Sequence, residues 1–141
     1  MMQTSIQSVV DVVDRLDPPE HRRGSLPDDN LIRRYEVATG FTFSDDYKTL
    51  LKRSSNAFVG AFDILALDRE MLGAPGDLLA ELGDARAVGV PSDWLPISTD
   101  NGDYYCLLED GSVRFWSHDG ATNEAWPSVA AWAAEVWVGG N

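Results

Sequence analysis

Cysteine occurs once in the 141 residues, histidine twice, and lysine plus arginine only eleven times against twenty-three acidic side chains. The lone Cys106 has no internal partner for a disulfide, which points to a reducing, cytoplasmic setting. His21 and His118 are too few for a multi-histidine metal centre. A net charge of −12 excludes a large surface built to sit on nucleic-acid phosphates, because such binding needs lysine and arginine to displace counterions. An anionic membrane surface is disfavoured on the same ground. No run approaches the roughly 18 apolar residues of a membrane span. Asp11 and Asp14 interrupt the apolar residues near the start, and no basic stretch precedes them, so the pattern is not that of a secretory signal. Internal repeats, low-complexity tracts and a phosphate-cradling glycine loop are also missing.

What remains is an ordinary soluble composition, 44% hydrophobic and 24% charged, on a chain long enough for one core. We therefore expect a single domain over residues 1–141. Ile6, Val9, Val10, Val13 and Leu16 recur at three- and four-residue steps, which predicts a helix capped by Thr4 or Ser5 and stopped by Pro18-Pro19. His21 to Gly24 reads as a short loop. A second helix is expected from near Pro27, with Leu31, Ile32, Tyr35 and Ala38 inward and Gly40 past its end. A third follows from Ser44 as N-cap, with Tyr47, Leu50 and Leu51 inward.

From Phe58 the period becomes strand-like, and Phe58 to Leu67 is expected as a strand with Phe62, Ile64 and Leu65 buried. A short helix over 77–82 should end at Gly83, with residues 83–93 irregular. Trp94 to Ile97 begins a strand, and Asn101-Gly102 is the dipeptide of two-residue hairpin turns. Asp103 to Leu108 is apolar on both faces, as in a covered central strand. After Asp110-Gly111, Ser112 to His118 alternates, with Val113 and Phe115 on one face and Arg114, Trp116 and His118 on the other. Asp119-Gly120 marks a third turn. Ser128 caps a closing helix in which Val129, Trp132, Ala133 and Val136 share a face. The sum is an α+β fold, with helices packed on one side of a mostly antiparallel sheet.

Catalytic chemistry finds little support. His118-Asp119 is the one pair suggestive of a hydrolase dyad or metal site, and the further ligands such a site needs are missing. Cys106 sits mid-strand among aromatics with nothing nearby to favour its thiolate. Asp100, Asn101, Asp103, Glu109 and Asp110 lack calcium-loop spacing, since Gly102 occupies the third position. The sequence implies no enzyme, no metal and no cofactor.

Charge is distributed unevenly. Residues 1–53 hold eight basic and nine acidic side chains, whereas residues 54–141 hold three basic and fourteen acidic. An acidic surface keeps copies apart in solution or draws in a basic partner, and the residues leave both readings open. Asp100, Asp103, Glu109, Asp110, Asp119 and Glu124 all fall on or beside expected hairpin turns, which suggests that they cluster. Of five tryptophans, Trp132 reads as core, while Trp94, Trp116 and Trp126 stand at strand or loop positions that leave core packing or an accessible interface ring face open, with core packing favoured for each alone.

Two segments together resemble the SUKH superfamily, in the branch related to a yeast cell-wall synthesis regulator. The first runs Leu31-Ile32-Arg33-Arg34-Tyr35-Glu36, then Gly40-Phe41-Thr42-Phe43-Ser44-Asp45-Asp46-Tyr47. It is similar to the family's helix, glycine and "proline-x-x-tyrosine" helix opening. The second runs Leu95-Pro96-Ile97, Asn101-Gly102-Asp103-Tyr104-Tyr105-Cys106-Leu107 and Asp110-Gly111-Ser112-Val113-Arg114-Phe115-Trp116-Ser117-His118-Asp119. It resembles the family's "glycine-aspartate, strand, turn, strand, histidine-aspartate" core. The resemblance covers roughly 27–137, with Ser44 where a proline is usual and Asn56-Ala57 where asparagine-glycine is usual. It implies an α+β fold without a shared catalytic triad. For stand-alone bacterial members it implies an immunity role, the binding and blocking of a cognate toxin, often a nuclease. The expected partner is a basic protein toxin, met through Asp100, Asp103, Tyr104, Glu109, Asp110, Trp116, His118 and Asp119. The alternatives are a regulatory or scaffolding module for a housekeeping partner and a small hydrolase using His118 and Asp119. Oligomeric state is left open.

Overall fold

The computed structural model describes residues 4–60, 63–120 and 122–139; Phe62, expected in the core, lies outside them. Helix α1 (Ile6–Leu16) starts at Ser5, whose hydroxyl accepts the Ser8 N–H at 3.1 Å. Val9, Val10 and Val13 are buried, while Leu16, expected on the same face, is exposed at the helix end. Helix α2 (Asp29–Thr39) is capped by Asp28 and stopped by Gly40 in the left-handed region, φ 77°. Leu31, Ile32 and Tyr35 are buried as expected, and Ala38 is exposed. Helix α3 (Asp45–Ser54) begins at Ser44, with Tyr47, Leu50 and Leu51 fully buried.

The His21–Gly24 loop contains a residue that ties these helices together. The Arg22 side chain is 1% exposed and pairs with Asp14 of α1 at 2.8 Å. It also donates to the carbonyls of Asp17 and Arg53, both at 2.9 Å. One guanidinium thus satisfies carbonyls at the ends of both α1 and α3.

Strands β1 (Leu95–Asp100), β2 (Asp103–Leu107), β3 (Val113–Trp116) and β4 (Ala125–Trp126) form an antiparallel meander in the order β1-β2-β3-β4. The α+β expectation holds. Asn101 and Gly102 both take positive φ, 52° and 89°, the geometry that matches a two-residue turn to strand twist. Tyr105, Leu107 and Val113 face the main core with the helices. There the Tyr105 ring lies 5.4 Å from that of Trp132.

Among the described residues of 58–67 the expected strand does not form. Ile64 bridges Ser98 and Ala66 bridges Asp77, each as an isolated pair. A bulge between Pro96 and Ser98 breaks the β1 register, and the chain then leaves β1, so that Leu78 N–H bonds the Ala66 carbonyl at 2.9 Å. Phe58 is 75% exposed. The segment still covers the outer edge of β1, where Leu65 N–H donates to the Ile97 carbonyl at 3.0 Å and Ser98 Oγ to that of Asp63 at 2.8 Å. An uncovered edge would invite pairing with another chain.

Helix α4 (Leu78–Val88) passes through Gly83 and ends at Gly89, φ 108°. Glycine costs a helix roughly 1 kcal/mol relative to alanine, and burial of Ala85 beyond it offsets that. The N-cap is the buried Asp77. Its Oδ1 accepts the Ala80 N–H at 2.7 Å, and its Oδ2 accepts the Tyr35 hydroxyl at 2.5 Å and the Gly73 N–H at 2.8 Å. Every buried carboxylate oxygen is therefore satisfied. Helices were expected on one side of the sheet only, but α4 reaches both. Leu78 joins the main core, while Ala85 and Val90 pack with Tyr104 and Cys106 on the opposite face.

The closing helix α5 (Val129–Trp132), capped by Ser128, continues as π-turns over Ala133–Val138. Trp137 is fully buried in the core alongside Trp132, and Val136 is only half-buried. Gly60 is required here, since a Cβ would sit 2.5 Å from the Trp137 carbonyl oxygen.

Candidate protein-binding surface

Antiparallel pairing decides which turn residues meet. Asp100 faces Asp103 across the β1–β2 turn, and Tyr104 faces Trp116, so the residues after Trp116 arrive at the same end of the sheet. Asp103 Oδ1 accepts the His118 backbone N–H at 3.0 Å and lies 2.5 Å from His118 Nδ1. His118 Nε2 is 3.4 Å from Asp119. The Asp103 hydrogen bond, then the charges of Asp119 and Asp103, hold the imidazole above its ordinary pKa. For Asp103, burial works to raise the pKa, and the hydrogen bonds from His118 outweigh it and hold the carboxyl below the usual range.

Two further carboxylates, absent from the sequence expectation, join this end. A groove of about 570 Å³ is lined by Asp63, Glu81, Thr99, Asp100 and Asn101. Burial, and then the neighbouring Asp84, raise the pKa of Glu81. Chain segments 63, 81–84, 100–103 and 118–119 thus contribute carboxylates to one region.

Glu109 and Asp110 do not. They occupy the β2–β3 turn at the opposite end, about 20 Å away for six residues at ~3.3 Å each. Asp110 is engaged locally, accepting the Ser112 N–H at 2.9 Å and its hydroxyl at 2.5 Å. Those bonds lower its pKa. Tyr104 is buried beneath the surface against Trp116, ring centroids 6.0 Å apart. Trp116, His118 and Asp119 are accessible.

The ion pairs show why the imbalance survives folding. Arg22, Lys48, Lys52 and Arg53 pair with Asp11, Asp14, Asp17, Asp29 and Glu36 within the helical half. Among the described residues, no lysine or arginine pairs with a carboxylate beyond Glu36. Arg86 spends its guanidinium on the carbonyls of Pro91, Ser92 and Trp94, at 2.8, 3.1 and 2.9 Å. Arg114 lies over the Trp94 ring, 5.5 Å from its centroid.

Nucleophilic chemistry is poorly served. Both His118 ring nitrogens face carboxylates, so neither activates a hydroxyl or thiol in the manner of a triad. Cys106 is fully buried, and that burial pushes its thiol up to about 12. Among the described residues no group of three or more His, Cys, Asp and Glu side chains is arranged to hold a metal ion. No helix among them is long and apolar enough to cross a membrane. What the region does offer, among the described residues, is negative charge that no lysine or arginine neutralises, beside tryptophan rings, with His118 set against Asp103 and Asp119.

Fold and surface together define a small α+β domain built to present a charged face. The SUKH_5 family model, described as SMI1-KNR4 cell-wall, matches residues 6–138, and the chain belongs to this family within the SUKH superfamily. The match takes in α1, which the sequence resemblance had left out. Members of the family are generally non-enzymatic immunity or regulatory proteins. A solved structure titled "Crystal structure of protein from Pseudomonas syringae pv. tomato" is similar at 28% identity and a TM-score of 0.83, over 94% of this chain and 98% of the other. No curated protein matches.

Proposed function

We propose that this protein is an immunity protein, acting in the cytoplasm to neutralise a cognate bacterial toxin by direct, stoichiometric binding. The toxin is a nuclease or other nucleic-acid-modifying effector, and no catalysis by the immunity protein is involved. The observation that carries the reading is the group of carboxylates at one end of the sheet that no lysine or arginine neutralises among the described residues, Asp103 and Asp119 meeting only His118. A nuclease needs a basic surface for phosphates, and a partner that presents such a group competes for that surface. The contact is centred on Asp100, Asp103, Trp116, His118 and Asp119. Glu109 and Asp110 contribute to the long-range field from the far end.

Pull-down from the native host identifies the partner, and co-expression with that partner tests the reading. Wild type restores growth and co-purifies at one to one, and Asp100→Lys with Asp119→Lys abolishes both. A chain that gives no protection but retains a partner in its own cell is a regulatory module instead.

A further inference from the structure

Burial of Leu31, Ile32 and Tyr35 leaves Asn30, Arg33, Arg34, Val37 and Ala38 on the outward face of α2, at the three- and four-residue steps of a second helical stripe. That stripe is not simply polar. Val37 is 77% exposed and Ala38 is exposed beside it, although valine forms helices less readily than lysine or glutamate. Neither helix propensity nor packing within the domain asks for valine there. With Leu72 these two side chains line an open groove of about 600 Å³, shared with Asn30, Arg33 and Arg34 and with no carboxylate. Among the described residues neither guanidinium has a hydrogen bond or an ion pair.

The groove is already formed without a partner. Leu72 stands in the loop between Asp68 and Gly73, and both ends of that loop are tied to Tyr35 of α2. The Tyr35 hydroxyl accepts the Asp68 N–H at 2.7 Å and donates to Asp77 Oδ2 at 2.5 Å, which accepts the Gly73 N–H at 2.8 Å. Helix and loop therefore hold the two sides of the groove in place, which lowers the ordering cost of docking.

The charge along the groove is predominantly positive. Past Asn30 and Arg34 lies a smaller hollow of about 180 Å³ that adds Arg69 and Asp28, and Asp28 Oδ1 is already taken by the Leu31 N–H at 2.8 Å. Past Arg33 and Val37 a third hollow adds Lys48 and Glu36. Glu36 Oε2 accepts the Phe43 N–H at 2.8 Å and lies 3.9 Å from Lys48. Both flanking carboxylates are thus engaged within the domain, while Arg33 and Arg34 at the centre are not.

We infer that the outward face of α2 docks an acidic segment of a partner protein. The segment places an apolar side chain over Val37, Ala38 and Leu72 and sets its flanking carboxylates against Arg33 and Arg34. A cationic segment would meet two guanidiniums and no carboxylate at the centre, so charge complementarity selects the anionic one. Nucleic acid is disfavoured, because a chain of net charge −12 repels a polyanion and the apolar lining gives phosphates nothing. A second copy carries the same net charge and is repelled likewise. This surface is opposite in sign to the acidic end of the sheet, and the inference stands without the toxin-binding reading.

The test titrates three probes into ¹⁵N-labelled full-length protein at low salt: acetyl-Glu-Glu-Leu-Leu-Glu-Glu-amide, acetyl-Lys-Lys-Leu-Leu-Lys-Lys-amide and a short oligothymidylate. The acidic peptide shifts the Val37, Ala38 and Leu72 amide resonances saturably, at millimolar Kd or tighter. Arg33→Gln with Arg34→Gln removes both charges from exposed helical positions that glutamine fills equally well, and weakens binding about five- to tenfold. Val37→Gln weakens it about two- to threefold. Absence of a saturable shift at these resonances, or an unweakened Arg33/Arg34 variant, overturns the inference. Equal or tighter binding of the lysine peptide or the oligonucleotide at the same resonances overturns it too. So does a shift of those resonances with protein concentration alone, which would make a second copy the occupant.

Discussion

Arg86→Met is the substitution that most directly separates the scaffold from the surface it presents. The loop from Gly89 to Trp94 holds no strand or helix, and three of its carbonyls end on one guanidinium at 2.8, 3.1 and 2.9 Å. Methionine keeps much of the apolar stem and removes all three donors. Hydrogen bonds to a charged donor are worth about 1.5–3 kcal/mol each when buried. The bond to Ser92 is exposed and water can replace it, and the other two are only part-buried, at about 1–2 kcal/mol each, so the loss comes to about 2–4 kcal/mol. With a urea dependence of about 1.5–2 kcal/mol per molar for a domain of this size, the unfolding midpoint falls by about 1–2 M. The Trp94 indole resonance broadens or shifts in the native state while those of Trp132 and Trp137, fixed in the main core, stay in place. A midpoint within 0.3 M of wild type, or an unmoved Trp94, would refute the assignment of Arg86 as the loop's clamp.

Three more predictions follow from local geometry. Arg22→Met removes the donors to the Asp17 and Arg53 carbonyls and one of the two arginines that hold Asp14, Arg53 remaining, and lowers stability by about 2–4 kcal/mol, readable by chemical denaturation. Gly102→Val forces a β-branched side chain into φ 89° and lowers stability by about 1–2 kcal/mol, whereas Gly83→Ala in the middle of α4 raises it by up to about 1 kcal/mol. The His118 imidazole, followed by NMR, titrates above the ordinary value of about 6.5, and Asp103→Asn lowers its midpoint. The sign of the linkage is fixed. The His118 contribution to stability is full below that ordinary value and is lost as pH rises through the raised folded value. The Asp103 contribution is present above the ordinary carboxylate range and is lost as pH falls through its depressed folded value. A His118 midpoint unmoved by Asp103→Asn would contradict the pairing.

Where periodicity and capping agree, the sequence is transparent. Ser44 and Ser128 mark helix starts, and Asn101-Gly102 sets Asp100 against Asp103, while the β2–β3 pairing brings His118 to Asp103. Reading fails where a tertiary contact overrides a local signal. Gly83 looks like a stop, but burial of Ala85 carries the helix through it. Phe58 to Leu67 has strand composition, but the bulge at Pro96–Ser98 denies it a partner ladder. Trp137, four residues on from Ala133 and seven from Ala130, shares their face and enters the core, although the apolar face was read only as far as Val136. The candidate surface was half legible. Hairpin logic placed Asp100, Asp103, His118 and Asp119 near turns but did not separate the two ends of the sheet, so Glu109 and Asp110 were grouped with them. Asp63 and Glu81 come from distant segments, and no local pattern announces them. The signal available was charge bookkeeping, since fourteen carboxylates against three basic residues cannot be paired internally.

The central claim is that carboxylates at the β1–β2 turn end, which no lysine or arginine neutralises among the described residues, draw in a basic toxin. The association rate constant with the purified toxin, measured against ionic strength, tests it most directly. Wild type should associate at least tenfold faster at low salt than at 0.5 M, with a steep slope. Asp100→Lys with Asp119→Lys should slow low-salt association at least tenfold and flatten the slope, while Glu109→Lys with Asp110→Lys changes it threefold or less. Equal salt slopes for wild type and the Asp100/Asp119 variant would contradict the account.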